Sequence, residues 1–96
     1  MNISAIVALV KERLGIKTTA RDTYLTAIAN GVVTELTDEK GVVFIDGDPY
    51  HLLFCVDYAC WRYQIRDSTG AMPRDLQYRL HNLIVHSSAP IEGETL

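Results

Sequence analysis

The stretch HLLFCVDYACWRYQIRD, His51 to Asp67, constrains this chain more than any other. It is long and apolar enough to form the centre of a fold, yet it carries His51, Cys55, Asp57 and Cys60 within the run. Projected at about 100° per residue, positions 50 to 66 give two apolar stripes rather than one. Leu52, Val56, Ala59, Cys60 and Tyr63 form the first; Tyr50, Phe54, Tyr58, Trp61 and Ile65 form the second. Between them run two narrow polar strips, His51 with Arg62 and Arg66 on one side and Asp57 with Gln64 on the other. A helix that is apolar on two faces must be covered on two faces.

Covering it is a question of chain length. With 96 residues, 48% hydrophobic and 22% charged, the sequence fits one compact domain, and a domain of that size buries roughly 60 to 70% of its unfolded surface. One modest core is expected, with the aromatic stripe of the central helix incompletely covered. Aromatic side chains and arginine are the types enriched at interface cores, so Tyr58, Trp61, Arg62 and Arg66 are the candidate subunit or partner interface. Trp61 beside Arg62 is its expected centre. The alternative is that the segment is the central helix of a monomer and no more.

Three further helices are expected around it. Ile3, Ile6, Val7, Val10 and Leu14 share one stripe over a helix from Ser4 to Leu14, and Gly15 supplies a left-handed terminus. A second helix follows a Thr18-Thr19 cap, with Asp22 placed for a capping-box-like return bond. It lines Leu25, Ile28, Ala29, Val32, Val33 and Leu36 on one face to about Glu39 and closes at Gly41; Ala27 and Gly31, one turn apart, would let another backbone approach. Asp48-Pro49 reads as an N-cap with proline at the first helical position of the third helix. That helix ends near Arg66, and Pro73 begins the fourth, striped by Leu76, Leu80, Leu83 and Ile84. Val42 to Ile45 has strand character but is too short for an independent sheet, so an extended segment or small β-ribbon is expected at about 42–46. The fold class is therefore all-α, a small bundle of four helices, with one domain over 1–87 and a flexible tail over 88–96, where SSAPIEGETL is polar and acidic.

The chemistry-bearing residues read best as structure. His51 and Cys55, one turn apart, supply two metal ligands, which His81 or His86 would have to complete; a zinc site needs a further pair at fixed spacing. Asp57 in an apolar run suggests a general acid or base, but Arg62, Arg66 and Arg79 offer it salt-bridge partners, and a structural ion pair or an exposed polar strip is the favoured reading. Cys55 and Cys60 fit neither a redox pair nor a zinc knuckle, and on a helix they point about 140° apart. No catalytic, cofactor-binding or metal residue is expected, and the cysteines are read as buried thiols of a reducing compartment. The amino-terminal MNISAIVALVKERLG reads as neither signal peptide nor membrane span. A net charge of −3, from 12 acidic and 9 basic side chains, argues against a simple nucleic-acid binder. A fourth helix bearing Arg74, Arg79 and His81 keeps open a small helical DNA-binding or regulatory module as the alternative function.

The segment VDYACWRYQIRDSTGAMPRDLQYRLHNLIV, with VKERLGI and TARDTYLTAI upstream, resembles the small head-tail connector (adaptor) proteins of tailed bacteriophages and prophages. The shared pattern is a short helix ending in L-G-I, a second helix with a D-x-Y-L start, an aromatic third helix ending in R-D, and a closing P-R-x-L-x-x-R-L-H-N-L helix. It covers residues 3 to 86. The resemblance implies an all-α structural protein of the virion neck without a catalytic site, made in the host cytoplasm and assembled as a ring beneath the portal, dodecameric in expectation. Its implied partners are other copies of itself, the portal, and a stopper or tail-completion protein. DNA would pass through the channel without specific binding, and no membrane is involved. An acidic chain suits such a conduit, because a channel that gripped phosphate would slow passage.

Overall fold

A computed structural model describes residues 1–45, 47–65 and 70–94, with side chains described as far as Ser87. The architecture is all-α: α1 (Ile3–Leu14), α2 (Asp22–Thr34) continued by a π-helical turn (Glu35–Glu39), α3 (Pro49–Gln64) and α4 (Arg74–Glu94). Helix α3 is the hub. It packs against α1, α2 and α4, α1 also meets α2, and among the described residues α4 rests on α3 alone of the helices. The molecule measures 52 × 29 × 19 Å, elongated because a 21-residue helix docks by part of its length.

Local chemistry accounts for most of the ends. Asn2 caps α1 by accepting the Ala5 amide at 3.1 Å. Gly15, at φ 72°, closes it with paired bonds from the Gly15 amide to Glu12 O and the Ile16 amide to Lys11 O, the left-handed terminus that glycine enters without a Cβ penalty. Asp48 caps α3 through the Tyr50 amide at 2.8 Å, with Pro49 at the first turn.

Helix α2 departs from expectation at both ends. Its N-cap is Arg21, which makes no side-chain cap bond, and Thr19 contributes its carbonyl, accepting the Asp22 amide at 3.1 Å. The Asp22 carboxylate turns instead to Lys11 of α1 at 2.7 Å, because a charged partner across the helix pair outcompetes a neutral amide. At the other end the helix widens into the π turn, with the Lys40 amide reaching five residues back to Glu35 O. The insertion lets Leu36 bury completely while Glu35 faces α3.

The core comprises Ile6 and Val10 of α1, Leu25, Ala29 and Val32 of α2, Leu36, Val42, and seven residues of α3 from Phe54 to Tyr63. Leu76 is the buried anchor of α4, and Leu80, Leu83 and Ile84 pack partly against the core. Val42 to Ile45 is extended, with no strand paired to it among the described residues. Its backbone is tied instead by bonds from Val42 N–H to Leu36 O, Val43 N–H to Ser87 Oγ at 2.9 Å, Ile45 N–H to His51 Nδ1 at 2.9 Å, and Asp48 N–H to Ile45 O at 3.1 Å. Helix α4 runs past Ser87, where the sequence suggests that a tail begins, to Glu94.

Candidate interaction surface

The two stripes of α3 meet different fates. Val56, Ala59, Cys60 and Tyr63 are buried as one face of the core, but so are Phe54 and Tyr58 of the aromatic stripe, each 1% exposed. Tyr58 therefore lies inside the subunit. Its hydroxyl donates to Glu35 Oε2 at 2.6 Å, and burial, then the Glu35 hydrogen bond, raises its pKa above the ordinary 10. The Arg62 guanidinium pairs with the other oxygen of Glu35. It lies 5.4 Å from the Tyr58 ring centroid and 5.8 Å from that of Trp61, cation–π distances. Trp61 meets Tyr58 edge to face, centroids 5.6 Å apart.

Of the four candidate interface residues, Trp61 and Arg62 sit half-buried at the surface, Tyr58 supports them from below, and Arg66 lies outside the described residues. The missing member is Glu35, which holds Tyr58 and Arg62 together. Its position beside the Val32–Leu36 stripe is the signal in the sequence, but the π turn that aims it at α3 has no such signature.

Beside this cluster, α2 and α3 leave an open groove lined by Tyr24, Ala27, Ile28, Gly31, Arg62 and Ile65. Ala27 and Gly31 are exposed, and a Cβ added at Gly31 would touch nothing within 4 Å. Among the described residues, the small side chains thus receive no other element of the same subunit. Helix α2 carries no charged residue between Asp22 and Glu35, so its outward face is solvent-exposed yet uncharged, the depletion that marks interface centres.

Asp57 is an ion-pair residue. It receives Arg13 of α1 and, at 2.8 Å, Arg79 of α4, tying both to α3. Arg79 also reaches Asp75 at 3.3 Å and lies over the Phe54 ring at 5.4 Å. The sequence names Arg79 among its partners; Arg13, 44 positions away, is supplied by the fold. His51 accepts the Ile45 amide at Nδ1 and packs edge-on against Phe44. Cys55 and Cys60 are buried free thiols; burial pushes Cys55 up to about 12 and raises Cys60. Among the described residues no group of three metal-ligating side chains comes together, and no helix is long and apolar enough to cross a membrane.

Fold and surface together define a small all-α bundle whose most distinctive feature among the described residues is an open groove, uncharged along α2 and edged by Arg62 of α3. No family model matches the chain, and searches of curated proteins and of solved structures return no match either.

Proposed function

We propose that this chain is a structural protein of the neck of a tailed bacteriophage or prophage, working by self-assembly into a ring under the portal. The ring joins the DNA-filled head to the tail and continues the DNA channel, and the reading assigns no catalysis to the chain. The observation that carries it is the exposed, uncharged outward face of α2, which with the half-buried Arg62 and Ile65 of α3 lines an open groove that no other helix among the described residues fills. The sequence pattern from Tyr63 to Leu83 supports the connector assignment beside it. Of the two α4 arginines that the alternative DNA-binding reading would use, Arg79 is engaged by Asp57 and Asp75, which leaves it the exposed Arg74.

Negative-stain microscopy of the protein mixed with its portal tests the proposal. Rings on the portal are the expected result; a dispersed small protein in the mixture, with Trp61→Ala behaving as wild type, would overturn it. Arg62→Glu is a poor probe, because it sets a second carboxylate against Glu35 and damages the fold. Trp61→Ala leaves the Glu35–Tyr58–Arg62 contacts in place.

A further inference from the structure

The α2/α3 groove has a counterpart on another face of the molecule. Helix α4 turns Leu76, Leu80, Leu83 and Ile84 toward α3, and its outer side carries Tyr78, His81 and Val85 at helical spacing. Tyr78 is 67% exposed and Val85 43%. These two large side chains give the outer side of α4 an apolar ridge. Helices α2 and α4 do not pack on one another within the subunit, so groove and ridge belong to different surfaces and are free to meet only between copies.

The spacing along the two helices matches. From Arg21 the groove runs through Tyr24, Ala27 and Ile28 to Gly31; from Asp75 the ridge runs through Tyr78, His81 and Asn82 to Val85. Both span ten positions (21 to 31 and 75 to 85), about 15 Å of helix. Laid parallel, Val85 stands over Gly31, Tyr78 meets Tyr24, and Asp75 meets Arg21. The Asp75 side chain is 77% exposed in its bond to Arg79. Arg21 is exposed and spends one guanidinium nitrogen on Tyr63 at 2.7 Å, keeping further donors for a carboxylate.

We infer that the α4 ridge of one copy seats in the α2/α3 groove of the next, with Arg21 and Asp75 setting the direction. This rests on the self-assembly reading and specifies it. Ridge into groove is how helices pack. Because the two surfaces differ, the contact is head to tail, and repetition closes into a ring if the rotation allows. Gly31 is then the residue that sets how closely the copies approach.

Cysteine pairing tests it on the full chain. Gly31→Cys and Val85→Cys variants are prepared separately, mixed and oxidised; the native cysteines are buried at 0 and 2% exposure and stay silent. The expected result is a disulfide-linked dimer dominant in the mixture and scarce in either variant alone. In parallel, sedimentation of Arg21→Asp should show roughly tenfold weaker association, restored by adding Asp75→Arg. Association without the mixed disulfide overturns the pairing and leaves self-assembly standing. Dimers from Gly31→Cys alone overturn it in favour of a two-fold contact through α2. A chain that sediments as a monomer at millimolar concentration, forms no mixed disulfide and gives no rings on the portal overturns both.

Discussion

Replacing Glu35 by alanine removes the acceptor shared by the Tyr58 hydroxyl and the Arg62 guanidinium. The two donors are not equally harmed. Tyr58 is 1% exposed, so its hydroxyl cannot turn to water, and an unsatisfied buried hydroxyl costs about 1–3 kcal/mol. The Arg62 side chain is 40% exposed and rehydrates, so its lost pairing adds at most about 1 kcal/mol. Glu35→Ala should therefore destabilise by about 1–4 kcal/mol, on the order of 4–30 °C in Tm for a domain of this size. Tyr58→Phe removes the hydroxyl but leaves Glu35 paired with Arg62, at a cost of about 1 kcal/mol. The combination carries the sharper test. Once the hydroxyl is gone there is no stranded donor, so Glu35→Ala/Tyr58→Phe should be more stable than Glu35→Ala alone by on the order of 1 kcal/mol. Urea titrations followed by circular dichroism measure all three. A double variant less stable than Glu35→Ala would refute the account of a buried hydroxyl held by one carboxylate.

Three further outcomes follow from the same packing. Asp57→Asn should cost about 1–2 kcal/mol and speed amide exchange in α4 before α2, because Asp57 is the ion-pair link from α3 to Arg79; uniform acceleration across the chain would contradict this. Gly31→Ala should raise the stability of the monomer by up to about 1 kcal/mol, since the added Cβ meets nothing; a lower Tm in dilute protein would show that the site is not open. Stability should also fall in alkali. Burial holds Cys55 protonated to about 12 against 9.0 unfolded, and Tyr58 is raised above 10. The unfolded chain therefore releases these protons first. The stabilisation is intact below about pH 9 and declines as pH climbs toward 12, so a urea midpoint unchanged from about pH 9 to pH 11 would count against it.

Much of the fold was legible in the chain. The 3.6-residue stripes of α1, α2 and α4, the left-handed Gly15, and the Asp48-Pro49 start of α3 are properties of neighbouring residues, and local geometry suffices to state them. The Thr19 cap failed because Asp22 had a better partner on another helix. The site was legible in part: Trp61 and Arg62 do flank an open surface, but Tyr58 belongs to the interior.

What the sequence determined by itself is that α3 is apolar on two faces and that three amphipathic helices surround it. Periodicity fixes the angle at which a side chain leaves its helix, so both stripes could be drawn in advance. It does not fix what stands opposite. That α1 and α2 cover one stripe, that Phe54 and Tyr58 are drawn into the core, that Glu35 reaches Arg62 across a π turn, and that Asp57 joins Arg13 to Arg79 were decided by tertiary packing. These contacts join residues 22 to 44 positions apart, and only the assembled bundle sets their distances.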